Sequence, residues 1–189
     1  MPRPRTIAGS LDDALDEASL TALLRLIGVL LFPILMGLTC QLSFNLAIPI
    51  PPFGVPLTLQ TLWVLLAALS IGPRFGTLSM LIYVLAGAVG VPIFAGGQAG
   101  MLTILGQTGG YLIGFVLCQP VVAAIVRRPD GAVRGWGAMI LAVLAAHLVI
   151  FAIGVPWLWA VRRLDPETPA ISFVEAVHGG FVVFIIPML

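Results

Sequence analysis

Five amide and phenol side chains, which can both donate and accept hydrogen bonds yet carry no charge, fall between positions 60 and 111 of a largely apolar stretch. Gln60 stands in VPLTLQTLW, and Gln98 and Gln107 stand in two glycine clusters, FAGGQAG (94–100) and GQTGGY (106–111). Tyr83 lies mid-way along the apolar run before them, and Tyr111 closes the second cluster. Amides and phenols of this kind suit a small polar molecule held without an ion pair. The same groups could instead glue helices together in lipid. The glycines have two readings as well. Gly96, Gly97 and Gly100 either supply positive φ in a plain inter-helix turn, or they let backbone N–H and C=O groups approach a ligand closely. Spacing alone leaves both open, and the cluster of neutral polar side chains favours the second. Phe53, Phe94, Trp63 and Trp157 are available as apolar walls, although an interfacial belt is the commoner use of such rings.

Other chemistry has few parts. His147 and His178 are the only histidines, so a small membrane enzyme or haem-binding protein would need both on one cavity. A histidine satisfied by its own helix is the commoner case. No serine sits in a nucleophile elbow, and neither HExxH nor a Walker A pattern occurs, so no motif for driving transport with ATP is present. Glu175, three residues before His178, reads as solvated. Cys40 and Cys118 lie inside apolar runs, without partners at ligand spacing, and read as packing residues. No catalytic residue, metal or cofactor is expected.

The elements that must position these groups are dictated by composition. Hydrophobic residues make up 60% of the 189 positions and charged residues only 9%, against roughly 25% in a soluble domain. With a mean hydropathy of +1.12, the natural solvent is a bilayer. A net charge of +1 gives no reason to expect nucleic acid as a partner.

Residues 1–19 carry acids and no apolar core of a leader, and read as a polar cytoplasmic tail before a single transmembrane substrate-binding domain, 20–189. The first run, 20–48, is long enough to span, with Arg25 placed to snorkel and Pro33 placed to kink it. PIPPFGVP (49–56) must be a stiff extended connection. The second run, 57–71, would reach only ~22 Å of the ~30 Å hydrocarbon core. GPRFG (72–76) reads as a tight turn, followed by a third run, 77–89, a Gly90-Val91-Pro92 breaker and the glycine clusters. A fourth span covers 108–126, a polar loop 127–135, a fifth span 136 to about 159, and a second polar loop 161–170. In the last segment only 179–189 is cleanly apolar, so the final helix is short or ends early. The expectation is an all-α integral membrane protein, a six-helix bundle with outward capping loops.

Arginine placement orients it. Arg3, Arg5, Arg25, Arg74, Arg127, Arg128 and Arg134 fall on one side and only Arg162 and Arg163 on the other, and there is no lysine. Both termini are therefore expected in the cytoplasm of a cell-membrane protein, with the uncharged loops 49–56 and 90–107 facing outward together.

Four blocks in order, VPLTLQTL (55–62), GPRFG (72–76), YVLAGAVGVPIFAGGQAG (83–100) and GQTGGYLIGF (106–115), resemble the BioY family, densely over about 30–126 and loosely elsewhere. That family comprises the substrate-binding membrane subunits of energy-coupling-factor biotin transporters. The resemblance implies biotin held near the outer face beneath the loops between helices 1–2 and 3–4. As partners it implies a transmembrane coupling subunit and two ABC ATPases, with toppling of the bundle during delivery, and some members working without the ATPase module. Biotin's ureido head, neutral with two donors and one acceptor, matches Gln60, Tyr83, Gln98 and Tyr111 as polar contacts, with Phe94 packing. Gly96, Gly97 and Gly100 would allow close approach, and Gln107 belongs to the same mouth. The chain departs from the family in three places. Gln107 stands where GPTGGY is usual. VFIIPML (183–189) replaces a PFxPGDxxK-like run, with Met188 at the Asp position, leaving Arg162 or Arg163 as the nearest outward candidate for the ligand carboxylate. The alanine-rich docking motif of helix 1 is poorly formed around Gly28 and Gly37.

Overall fold

A computed structural model describes residues 7–42, 58–128, 132–166 and 168–182. Helix α1 (Ile7–Leu42) starts well before the first apolar run, so residues 7–19 of the expected tail are its opening turns. Its apolar window is Asp16–Gln41, with Pro33 inside the helix. Val29, Met36 and Cys40 face the bundle while Leu23, Leu30, Ile34 and Leu38 are exposed. A helix apolar on all sides needs hydrocarbon against its outer face. The proline-rich connection with Phe53 lies outside the described residues.

Helix α2 (Gln60–Ser70) has 11 residues, about 16 Å by helical rise, shorter still than the run containing it. The turn expected over 72–76 is narrower than the sequence suggested. Gly72, at φ 85°, does the turning alone, and α3 (Pro73–Ala88) begins at the next residue. The fixed φ and missing N–H of Pro73 suit the first helical position, which is why GPRF starts a helix. Arg127 closes this corner. Its Nη2 donates to the carbonyls of Leu69 at 3.1 Å and Ser70 at 3.4 Å, capping α2 with a cation where the helix dipole is negative.

After the glycine segment and a short helix α4 (Met101–Leu105) come α5 (Gly109–Val126) and α6 (Trp136–Leu164), which pack along their length through small residues. Gly110 lies beneath Trp157, Gly154 beneath the Tyr111 ring, and Gly114 against the Ile150 backbone. Without a hydrophobic drive between helices in lipid, close backbone approach of this kind supplies the association. Gln119, which the sequence reading passed over, adds a buried amide donating to Val64 O at 2.9 Å across the α2–α5 contact.

The second polar loop was expected from Val161, but α6 continues to Leu164 and holds Arg162 and Arg163 in its last turn. Two effects extend it: cations favour a helix C-terminus, and the Arg163 guanidinium sits 5.1 Å from the Trp159 ring centroid one turn earlier. Helix α7 (Phe173–Val177) runs into a π-helical turn, His178–Val182. Residues 183–189, and with them the Met188 position, lie outside the described residues.

Three segments, Asp16–Gln41, Gly109–Val126 and Trp136–Leu164, are long and apolar enough to cross a bilayer. With α2, α3 and α7 they make the all-helical six-helix bundle, and α4 is an extra turn within the glycine segment.

Glu175 has a structural use. Ser172 and Glu175 form a reciprocal capping box at the start of α7, and the Ser172 backbone N–H and hydroxyl hold the Glu175 carboxylate below the ordinary glutamate range. A depressed folded-state value adds stability above the unfolded pKa and loses it as pH falls through the folded one. Hydrogen-exchange protection factors in α7 should therefore drop on acidification. Glu175→Gln should remove most of that pH dependence, and an unchanged slope in the variant would count against the box.

Candidate functional site

Apart from the short α4, successive helices alternate in direction, so the start of α2, the end of α3, the glycine segment, the start of α5 and the end of α6 share one end of the bundle. There Gln60, the first residue of α2, is 7% exposed and Tyr83 of α3 is fully buried. Gln60 Nε2 donates to Tyr83 Oη at 2.6 Å, and Tyr83 Oη donates onward to Ile93 O at 2.8 Å. Thr58 Oγ1 donates to Gln60 Oε1 at 2.8 Å, which fixes the amide's orientation. Cys40 Sγ of α1 lies 3.9 Å from Tyr83 Oη. The result is a neutral chain of donors and acceptors reaching from α2 through α3 into the glycine segment.

Phe94 closes this group from above. Its ring meets Tyr83 edge-on at 5.5 Å and 73°, and it is buried. The ring rests directly on Gly87, where any Cβ would overlap it. The segment then turns back through Gly96 and Gly97, both left-handed at φ 70° and 71°, a conformation glycine adopts without penalty. Phe94 N donates to Gln98 O at 3.1 Å, and Gly100 N to Gly87 O at 2.7 Å, which ties the turn to the end of α3. Gln41 Nε2 donates to Pro92 O at 2.7 Å, which ties it to α1. The geometry shows the first reading of the glycines: they supply positive φ, and the turn they make is tied down onto the bundle.

Gln60, Tyr83 and Phe94 are thus brought into direct contact. Gly96, Gly97 and Gln98 lie exposed on the outer surface of the turn, and Gly100 and Gln107 are half-buried beside it. Tyr111 is differently engaged. Its hydroxyl donates to Gly180 O at 2.9 Å, and its ring meets Phe151 edge-on at 6.1 Å, joining α5 to the π-helical turn and to α6. Two indoles read as walls or belts prove to be tethers: Trp157 Nε1 donates to Gly106 O at 2.8 Å and Trp63 Nε1 to Thr39 Oγ1 at 3.0 Å. Arg162 and Arg163 end α6 at this same end of the bundle. Sequence reasoning missed Thr58, although a threonine two residues before Gln60 at a helix start was a readable signal. It also missed Gln41 and the carbonyl of Ile93; a backbone acceptor has no signature in residue type.

The histidines do not converge with this group. His147 Nδ1 lies 2.8 Å from Val143 O within α6, and its ring stacks on Phe151 at 6.2 Å. His178 is exposed at the start of the π-helical turn.

Comparison with known proteins places this geometry. Residues 15–189 match the family described as the BioY family. A probable biotin transporter BioY of Pyrococcus horikoshii is 40% identical over 159 residues, covering 84% of this chain and 83% of that protein. The biotin transporter BioY of Rhodobacter capsulatus is 36% identical over 158 residues, covering 82% and 83%. The fold is similar, at a TM-score of 0.72 and 21% identity, to a crystal structure of the S-component for biotin from an ECF-type ABC transporter, over 88% of this chain and 83% of that one. With a family match spanning all but its first residues and relatives this similar along most of its length, the chain belongs to the BioY family.

Proposed function

We propose that this chain is the membrane-embedded biotin-binding subunit of a vitamin uptake transporter, a carrier and not an enzyme. The observation that carries the reading is the buried, uncharged group Gln60–Tyr83–Phe94 roofed by the glycine segment. A ureido ring needs donors and acceptors without ions, and Gln60 has one Nε2 hydrogen and one Oε1 lone pair beyond those used by Tyr83 and Thr58. Tyr83 orients that amide, Phe94 packs on the ring system, and the glycine turn, with Gln98, Gln107 and Tyr111 beside it, forms the mouth. Arg162 or Arg163, ending α6, is the candidate for the carboxylate. Burying the ureido head in this manner costs no desolvated charge, which a basic or acidic pocket would.

The glycine end faces outward in this reading, and both termini lie in the cytoplasm, because five of the described arginines (Arg25, Arg74, Arg127, Arg128, Arg134) gather at the opposite end. A transmembrane coupling subunit and ABC ATPases are the partners, since the chain has no nucleotide-binding motif of its own. The alternative, a haem protein or enzyme using His147 and His178, lacks support from their placement.

The deciding experiment is a saturation isotherm on purified protein with labelled biotin, repeated with a tail-neutral biotin amide. Tight one-to-one binding of biotin is expected. A weaker amide would implicate a cation at the tail, and Arg162→Gln and Arg163→Gln would then identify which. Absence of saturable biotin binding in lipid, or a Soret band in the absorption spectrum, would overturn the reading.

A further inference from the structure

At the end of the bundle opposite the glycine segment, an open cleft of about 530 Å³ is lined by Pro73, Pro120, Ala123 and Ala124 with Arg127, Arg128 and Arg134. The arginines are held together by backbone, not by chance of side-chain reach. Arg127 and Val133 form an antiparallel bridge, Arg128 N donates to Ala132 O at 2.9 Å, and Arg134 N donates to Val126 O at 2.8 Å. Arg127 uses Nη2 on the α2 carbonyls, and its buried Nε has no hydrogen-bond partner among the described residues. Arg128 and Arg134 are exposed. Two further features fix the depth. Trp136, two residues after Arg134, is 82% exposed, as a ring at a membrane interface would be. Arg25 of α1 lies 5.9 Å from the Phe75 ring at the same end.

We propose that this cleft binds a phosphate-bearing anion, and that its occupant is the headgroup of an anionic phospholipid. Guanidinium forks match phosphate oxygens pairwise, and basic clusters between helices at headgroup level are suited to acidic lipids. The apolar half of the lining decides between sources. Pro73, Pro120, Ala123 and Ala124 give a soluble anion nothing, whereas a lipid lays its glycerol and first acyl carbons along such a wall. The site is independent of the ligand group at the other end.

The test titrates the purified full chain in detergent with phosphatidylglycerol and with phosphatidylcholine, counting retained lipid by native mass spectrometry. Phosphatidylglycerol should be retained about tenfold better, and Arg128→Gln/Arg134→Gln should reduce the preference to near unity. Arg127 is left intact because it also caps α2. Should the double variant fail to fold, Ala124→Phe, which fills the apolar wall without altering charge, should lower retention of phosphatidylglycerol. Equal retention of the two lipids, as would follow if Asp130 of the intervening loop satisfied the arginines, overturns the proposal. So does unchanged preference in the folded double variant or undiminished retention in Ala124→Phe. Displacement of phosphatidylglycerol by millimolar inorganic phosphate would overturn the headgroup assignment in favour of a soluble anion.

Discussion

Tyr83→Phe is expected to weaken biotin binding by roughly tenfold to a hundredfold while the bundle stays folded. The hydroxyl is the middle of a three-member chain, accepting from Gln60 Nε2 and donating to Ile93 O. Its removal takes a partner from the buried Gln60 Nε2 and from the half-buried Ile93 carbonyl, at a cost of up to about 1–3 kcal/mol each. Part of that cost falls on stability. The rest falls on binding, because Gln60 loses one of the two contacts that orient it and the segment bearing Phe94 loses one of its bonds to α3, and about 1.4 kcal/mol is tenfold in affinity. The ring still packs on Phe94, so truncation to alanine would confuse cavity formation with hydrogen-bond loss, and phenylalanine is the cleaner probe. Gln60→Ala should be at least as damaging, since it removes the amide itself. Equilibrium binding of labelled biotin to both variants checks this, and wild-type affinity in Tyr83→Phe would mean that the relay does not serve the ligand.

The largest effect on stability is expected from Gly114→Leu. A Cβ there would lie 2.8 Å from Ile150 Cα, a backbone atom that no rotamer change can move. Relief requires α5 and α6 to separate, and overpacking typically costs 1–3 kcal/mol, occasionally more; about 3 kcal/mol or above is expected here because both helices must shift. Gly28 is a useful contrast. Its Cβ would meet Ile71 Cγ2 at 2.6 Å, a side-chain methyl and not backbone, so relief needs one side chain to shift and not two helices, and Gly28→Ala should be milder. Gly137 has open space around it, and Gly137→Ala should be neutral or stabilising by up to about 1 kcal/mol. Thermal unfolding in detergent orders the three. A Gly114 variant no worse than the Gly28 variant would refute the tight-packing account of this interface.

How much of this was readable follows from what residue type encodes. Apolar runs bounded by polar loops located α5, α6 and the body of α1, because hydropathy is additive along a span. Boundaries were less legible where polar residues are compatible with helix: Arg162 and Arg163 looked like loop and end α6, and Pro73 looked like turn and begins α3. The S-x-x-E pattern at Ser172–Glu175 was present in the sequence as a helix start and was passed over as solvation. At the site, Gln60, Tyr83 and Phe94 stood out as neutral polar and aromatic residues near a glycine cluster, and they touch. Tyr111 shared their chemistry, yet its hydroxyl serves Gly180, a partner 69 positions away that no local pattern reveals. Gln119 shows the converse, a buried amide that clamps helices and had no neighbouring motif to mark it.

The turn that carries Phe94 stands on three feet planted in different helices: Gln41 holds Pro92 from α1, Gly87 receives Gly100 at the end of α3, and Trp157 grips Gly106 from α6. The α1 and α6 struts are single hydrogen bonds, each broken by a displacement of about 1 Å, while α3 holds a second bond through Tyr83 Oη on Ile93 O. A tripod of that kind cannot stay level when one leg slides. A tilt of α1 against α6 strains a strut or rocks Phe94 on its glycine seat, so the spacing of the outer helices and the fit of the roof over Tyr83 move together.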